Sequence, residues 1–471
     1  MAAKKVRRER SSDGIGRTTV SPTDDTDEPY FGDPLDPYKL DLNAPPQMSQ
    51  IDQIVNKLIN PEQRDRVPGV VVAVRKGNEI VHLKGYGYAN LETPAKIRLD
   101  TIFDLGSLSK QFTAMAILYL AHFEKKIHLR DHLSKFFKGF PRYADKITVE
   151  DLLHHTSGLP RYIEIYAAKR LAEEDWYERA NQRRNDWYPK MPAGKKDFTN
   201  KDVLRWIASQ TLLPKEPETR MEYSNSGYVV LAELVSKVAK KRLAEYLKEI
   251  LFRDVVMNDT YVFDERSRFS SDAREIVNHA KCYNHVKGRG FVPVGYTPLN
   301  FITGDGNVHS TILDLLRWEI HLFSNEYYTL VDPKGYQKDG FISLSPLLWS
   351  PGRTRHGKRV DYGAGWYLRR EKQNRIVKVR GGQITRRYES RAEHHRGEWL
   401  GWRHYWARSA TWAVPKAGKD VDPKTFKSLS IIVLSNADFG NKQFTTCRIA
   451  HDISRVIWKK HNLMNDDSCE L

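Results

Sequence analysis

Apolar, strand-length runs stand near both ends of this chain with a long helix-rich stretch between them, and that arrangement limits the fold more than any other feature. Pro68-Gly69 opens one run, Val70 to Val74. A turn at Lys76-Gly77-Asn78 leads into a second, Glu79 to Leu83, which together read as a hairpin. Far downstream, Ser430-Ile431-Ile432-Val433-Leu434 reads as a buried strand and Phe444 to Trp458 as an amphipathic helix. Ile51, Ile54, Val55, Leu58 and Ile59 fall at helical spacing ahead of the hairpin. Between the two ends the signals are helical: Phe112 to Leu120, Val203 to Ile207 after Phe198-Thr199-Asn200, and Tyr228 to Ala239. Thr148 with Asp151 three residues on resembles a capping box before Leu152-Leu153. Strands at both ends around a helical insert predict an α+β fold, an α/β sandwich whose antiparallel sheet is built from distant segments and flanked by helices. The sheet part is expected over about 47–103 and 360–471 and the helical part over about 104–359. No repeat of solenoid length occurs.

Residues 1–46 combine a basic cluster, the acidic run Asp24-Asp25-Thr26-Asp27-Glu28, several prolines and few aliphatics, and are expected to be a disordered tail. The basic start lacks an apolar segment behind it, so a secretory signal is not expected. The longest clean apolar run, Ala114 to Ala121, is too short to span a bilayer. Cys282, Cys447 and Cys469 are odd in number and far apart, which speaks against a disulfide framework or a thiolate zinc cage. A cytoplasmic, reducing setting is the expectation. The 471 residues carry 76 Lys+Arg against 59 Asp+Glu, a formal net charge of +17. Residues 352–408 concentrate the excess, with sixteen Lys/Arg against five Asp/Glu. Either a positive field for anionic ligands or a solvated loop face accounts for it. Without a finger, basic-zipper or RNP-like pattern, nucleic acid is not the expected partner.

One motif carries nucleophile chemistry. Ser107-Leu108-Ser109-Lys110 heads the apolar helix. Positions i and i+3 share a helix face, so the Lys110 amine can lie beside the Ser107 hydroxyl. The helix start supplies free N–H groups where an oxyanion would form. A serine hydroxyl needs an adjacent base, and a lysine serves if its pKa is lowered. Alone the tetrad equally fits a capped helix with an exposed lysine, and Ser109 is a competitor one residue from the lysine. Tyr223-Ser224-Asn225 follows just ahead of another apolar helix; its phenol can relay protons and its amide can bond a substrate carbonyl or the lysine. His395-Arg396-Gly397-Glu398-Trp399-Leu400-Gly401-Trp402 sets a glycine beside a polar side chain, which on an edge strand lets a ligand approach the backbone.

In this order the three elements resemble those of the serine β-lactamase and penicillin-binding-protein superfamily, and most closely its class C-type, esterase-like branch, which has Tyr-x-Asn and commonly His-x-Gly. Four further segments resemble that family: Leu152-Leu153-His154-His155-Thr156-Ser157-Gly158-Leu159-Pro160, Gly304-Asp305-Gly306-Asn307-Val308-His309-Ser310-Thr311, Tyr362-Gly363-Ala364-Gly365-Trp366, and Val433-Leu434-Ser435-Asn436. The likeness spans roughly residues 50–460. It implies the β-lactamase/transpeptidase-like fold with a helical inserted subdomain, and one serine hydrolase domain over 47–471. It implies that Ser107 is acylated, that Lys110 deprotonates it or polarises the base, and that Tyr223 moves the proton. Asn225 would support substrate and lysine, and His395 would take the third-motif position beside Gly397. The backbone N–H groups of Ser107 and Glu398 would form the oxyanion hole. No metal or other cofactor is implied; the partner would be a small ester or amide, a D-amino-acid peptide or a β-lactam.

Departures from the family pattern are specific. Glu218 and Asn307 replace usual glycines. Residues 161–197 form a longer insertion, with Tyr162, Tyr166, Trp176, Tyr177, Trp187 and Tyr188, which either lines an acyl pocket or packs on the helical part. Arg380-Gly381-Gly382 rivals His395 for the third motif. No G-x-S-x-G or H-E-x-x-H occurs, and Gly352 to Arg359 misses a P-loop because Arg359 replaces the required Ser/Thr. A catalytically silent scaffold and a polyanion-binding protein on the same fold remain as alternatives.

Overall fold

The computed structural model describes residue 35 and residues 50–60, 62–163, 198–210, 216–264, 266, 278–294, 297, 299–331, 344–379, 382–415, 421–440 and 445–458. The apolar runs from the two ends of the chain do meet. β1 (Val70–Lys76) and β2 (Glu79–Tyr86) form the N-terminal hairpin. β3 (Tyr367–Val379), β4 (Gly382–Trp399), β5 (Trp402–Ala413) and β6 (Lys427–Ser435) come from the C-terminal part. They form one six-stranded sheet in the order β3-β4-β5-β6-β1-β2, antiparallel throughout. β6 lies against β1 with Val70 opposite Ser435 and Val74 opposite Ile431.

The unbroken apolar character of Val70 to Val74 follows from cover on both faces. Val70, Val72 and Val74 pack with Ile51 and Val55 of α1 (Gln50–Ile59) and with Ile449 and Ile453 of α5 (Thr445–Ile457). Val71 and Ala73 face the larger core on the other side. A strand buried on both faces has no reason to alternate, and each valine so buried contributes ~1.5–3 kcal/mol. Asp52 ties α1 to the hairpin, accepting a hydrogen bond from the Tyr86 hydroxyl at 2.6 Å and pairing with Lys84 at 2.9 Å.

The larger core surrounds α2 (Lys110–His122), whose Phe112, Ala114, Met115, Ala116, Ile117, Leu118 and Leu120 are all buried. A helix apolar on every side belongs at the centre of a fold. α3 (Asn225–Ala239) packs beside it and begins three residues earlier than its apolar run, because the Ser224 side chain caps it by accepting the Gly227 N–H. The capping box at Thr148 and Asp151 forms as expected and starts a short helix, Val149–Leu153. α4 (Ile312–Val331) passes beneath the sheet.

The basic stretch 352–408 is not a loop face. It holds β3, all of β4 and the start of β5, and part of its charge is interior: Arg408 and Glu393 are buried. The expected tail lies almost wholly outside the described residues, although Leu35 within it is buried in the larger core. Cys282 is a free thiol while Cys447 is disulfide-bonded, which departs from the expectation drawn from cysteine spacing; Cys469 lies outside the described residues. Among the described residues no helix is long and apolar enough to cross a membrane, and no cluster of three or more His, Cys, Asp or Glu is disposed to hold a metal ion.

Candidate active site

Ser107 stands in a 3-10 turn, Gly106–Ser109, that runs straight into α2. The turn is held from below by Asp104, whose carboxylate accepts the Gly106 N–H at 3.0 Å. Burial pushes the Asp104 pKa up to about 7. One helical turn on, the Lys110 Nζ donates to Ser107 Oγ at 3.0 Å and to the Asp305 carbonyl at 2.7 Å. Lys110 is completely buried, and that desolvation lowers its pKa to about 8 against the opposing pull of the Asp305 carboxylate. Ser109, the competing hydroxyl, is spent on structure: its Oγ accepts the Val308 N–H at 3.0 Å.

Tyr223 reaches the same point from the loop before α3. Its phenol lies close enough to the Ser107 side chain to feel it, and its ring lies 5.0 Å from the Lys110 Nζ. Burial holds the phenol far above its ordinary pKa, so it is neutral. The segment Leu152–Pro160 builds its seat. His155 takes a left-handed backbone (φ 58°), accepts the Ser224 N–H on Nδ1 at 3.1 Å and stacks its ring 4.3 Å from that of Tyr223.

β4 closes the other side. A Cβ on Gly397 would lie 2.2 Å from the Leu105 carbonyl oxygen, and one on Gly106 would lie 3.0 Å from the Glu398 nitrogen. Only glycine at both positions lets β4 lie this close to the serine turn. The approach brings Glu398 and Ser107 to the wall of one small cleft, together with Asn225, Asp305, Gly306 and Tyr162.

The structure therefore brings Lys110 and Tyr223 to Ser107, which lines the cleft together with Asn225 and Glu398, while Gly397 lets β4 approach the serine turn. Two expectations change in detail. Asn225 lines the cleft, but its Oδ1 accepts no hydrogen bond among the described residues, so the second anchor of Lys110 is the Asp305 carbonyl. His395 does not line the cleft. It lies behind Tyr223, its ring 5.9 Å away, with Nε2 bonded to the Tyr362 hydroxyl at 3.0 Å and Nδ1 against the Arg396 carbonyl at 2.6 Å. Burial drives its pKa down to about 3 and keeps it neutral. Of the rival motif, Arg380 and Gly381 lie outside the described residues, as do Tyr166, Trp176, Tyr177, Trp187 and Tyr188 of the insertion. Tyr162, at the insertion's start, donates its hydroxyl to Asp305 Oδ2 at 2.8 Å and lines the cleft. Asp305 and His155 were given no role by the sequence, whereas Tyr162 belongs to the insertion expected to line an acyl pocket or to pack on the helical part, and it does both. The left-handed Gly304, packed against the Tyr228 carbonyl, was the one signal that the segment around Asp305 approaches another backbone closely.

Comparison with known proteins agrees with this arrangement. Residues 51–453 match the family described as Beta-lactamase. Penicillin-binding protein 4* of Bacillus subtilis (strain 168) is 28% identical over 327 residues, covering 68% of this chain and 64% of that protein. Protein flp of Staphylococcus aureus (strain N315) is 28% identical over 228 residues, covering 48% of this chain and 40% of that protein. The chain thus spans less than two thirds of either relative. Among solved structures, the octameric penicillin-binding protein homologue from Pyrococcus abyssi superposes with a TM-score of 0.59 at 21% identity, covering 86% of this chain and 76% of that one. The D-amino acid amidase from Ochrobactrum anthropi SV3 complexed with L-phenylalanine amide gives 0.56 at 20% identity, covering 87% and 98%. At these identities the likeness is one of fold.

Proposed function

The chain belongs to the beta-lactamase family, and from that premise we propose that it is a serine hydrolase that cleaves an ester or amide through an acyl-enzyme on Ser107. One observation carries the reading: a fully buried lysine amine lies 3.0 Å from a serine oxygen, with the ring of a neutral tyrosine 5.0 Å from that amine. Lys110, with its pKa near 8, is the base. It takes the Ser107 proton as Oγ attacks the carbonyl carbon of the substrate. The resulting oxyanion is received by the backbone N–H groups of Ser107 and Glu398; one such donor is worth about 2.7–4 kcal/mol of barrier. The bond from carbon to the leaving oxygen or nitrogen then breaks. The proton travels from Lys110 by way of the Tyr223 phenol to the departing atom. Water repeats the attack on the acyl-enzyme, giving its proton back through the same pair and releasing a carboxylic acid and free Ser107.

Esters, amides, D-amino-acid peptides and β-lactams all offer such a carbonyl, and the relatives named penicillin-binding protein and the neighbour named D-amino acid amidase favour amide-type substrates. Mass spectrometry after a fluorophosphonate probe tests the nucleophile. A single adduct on the peptide holding Ser107 is expected in the wild type and none in Ser107→Ala. Equal labelling of both proteins overturns the assignment.

A further inference from the structure

Asp305 meets the Lys110 amine with two groups. Its backbone carbonyl accepts the Nζ at 2.7 Å, and only Cα and Cβ separate that carbonyl carbon from its carboxyl group. Both residues are buried, so the field of the carboxylate reaches the amine with little screening. The carboxylate is itself held, because Tyr162 donates its hydroxyl to Asp305 Oδ2 at 2.8 Å. The first turn of α3 fixes Tyr162 in turn: the Tyr162 N–H donates to Ser226 Oγ at 3.0 Å, and that hydroxyl donates to the Pro160 carbonyl at 2.6 Å. Burial raises the pKa of Asp305, while Lys110 and the Tyr162 hydroxyl oppose the rise. On the other side of the pair, desolvation lowers Lys110 to about 8, and the Asp305 charge opposes a further fall. Every other element packed against the amine presents a neutral group. Tyr223, in the loop before α3, and Tyr228, on α3, have rings 5.0 and 5.6 Å from the Nζ and are kept un-ionised by burial. His155, in the segment Leu152–Pro160, and His395, on β4, are kept neutral by burial, with the Lys110 charge adding to the effect. Two further acids stand nearby. Asp104, under the serine turn, is raised to about 7 by burial and feels Asp305 as well. Glu398 lines the cleft but is exposed, where water screens it.

We propose that Asp305 and Tyr162 are positioning residues for the reaction at Ser107: the Asp305 carbonyl aims the Lys110 amine, the Asp305 carboxylate sets how strongly that amine holds a proton, and the Tyr162 hydroxyl keeps the carboxylate ionised. The inference rests on the acyl-enzyme reading of Ser107 with Lys110 as base. An amine in a dry cavity without a negative neighbour loses its proton at low pH and is a weak base. The Asp305 charge makes it a stronger one and moves its working range to higher pH. Tyr162 stands at the root of the 161–197 insertion, so the control runs from a segment in which this chain departs from the family pattern.

The test is the pH profile of kcat/KM for nitrophenyl acetate, an uncharged substrate, so that the acid limb reports groups of the free enzyme. Asp305→Asn keeps the carbonyl that holds the Nζ and removes the charge. Its acid limb is expected to move to lower pH by about one pH unit, the effect of one nearby opposite charge, and its plateau to fall because the base is weaker. Tyr162→Phe is expected to move the limb in the same direction by less. The double variant is expected to go no further than Asp305→Asn, since the hydroxyl acts only through the carboxylate. Asp104 also feels Asp305, so the same comparison is made in an Asp104→Asn background, where the displacement is expected to persist. A limb unmoved in Asp305→Asn, additive displacements in the double variant, or a displacement that vanishes in the Asp104→Asn background overturns the inference; a lowered plateau on an unmoved limb is the mark of a merely structural role and overturns it too. If Asp305→Asn does not fold, the limb of Tyr162→Phe decides. In each of these cases fluorophosphonate labelling of wild-type Ser107 still stands, whereas its absence together with absent nitrophenyl acetate turnover sinks the hydrolase reading itself.

Discussion

Lys110 has no water to hold its charge and a carbonyl and a hydroxyl to hold its amine, and the chemistry follows from that setting. In the proposed mechanism the neutral amine is the competent base. Its pKa near 8 means that activity on an uncharged ester should rise with pH through about 8 and then level, because the amine is protonated below that point and free above it. A profile of log kcat/KM against pH for nitrophenyl acetate checks this; a flat profile between pH 6 and 10 (limits on the order of two units either side of that pKa) removes Lys110 as the base. Lys110→Ala should cost 10²–10⁴-fold, roughly what a positioned base contributes. Tyr223→Phe keeps the ring that stacks on His155 and loses only the phenol. It should therefore slow turnover of poor leaving groups such as amides, which need a proton, more than that of nitrophenyl esters, which leave as stable anions. A kcat ratio for anilide and ester measured in wild type and variant reads this directly.

At the scale of the element, the proposed oxyanion site depends on how closely a strand can approach a turn. Gly397→Ala would place a methyl 2.2 Å from the Leu105 carbonyl, with His404 behind it at 2.9 Å, so β4 has to move away from the serine turn. The Glu398 N–H goes with it, and kcat should fall by about 10²–10³. Stopped-assay kinetics beside a thermal melt separate this from unfolding. The same scale shows what the sequence could and could not reveal. α2 and β1 were legible because burial on all sides leaves only apolar residues, and the serine, lysine and tyrosine were legible because their spacing is chemical. Glu218 and Asn307, standing where the family has glycine, both have left-handed backbones, φ 57° and 66°. Both positions thus keep a backbone that glycine adopts freely, and here asparagine, which tolerates that region, and glutamate, which does not, meet it at different cost. Glu218→Gly should be stabilising by up to about 1 kcal/mol in a denaturant titration. The stretch that holds β3 to β5 was assigned to the sheet part, but its individual strands were not legible. Their arginines hide the alternation that marks a strand, since some of those charges point inward, as Arg408 does to Glu319, 89 positions away in the chain. The role of Asp305 was hidden for a different reason: it is the backbone carbonyl that holds Lys110, and any residue type supplies one.

Those inward charges act on the whole molecule. Glu319 on α4 accepts from Arg75 on β1 at 2.7 Å and from Arg408 on β5 at 2.7 Å, all three buried. Glu393 on β4 pairs with Arg391 and lies 3.9 Å from Arg408. The guanidiniums of Arg391 and Arg408 each lie 4.5 Å from the centre of the Trp349 ring. One cluster thus joins the N-terminal hairpin, the C-terminal strands and the helical middle, the three parts of chain whose meeting makes the sheet. Desolvating these charges is expensive, so the cluster adds little stability in itself, but removing one member leaves the others buried without compensation. Glu319→Gln should therefore cost about 3–5 kcal/mol at neutral pH, read as a lowered urea midpoint. The sign of the pH dependence follows from the carboxylate. Burial alone would raise its pKa, yet Arg408 and Arg75 hold it below the ordinary 4.5. Its contribution is complete above 4.5 and is lost as pH falls through the depressed value, because the unfolded chain takes up the proton first. The difference between wild type and Glu319→Gln should accordingly shrink on the acid side of that window. A difference that stays constant from neutral pH into that acid range would mean that Glu319 enters the fold already protonated, and that the cluster does not hold the two ends of the chain together by charge.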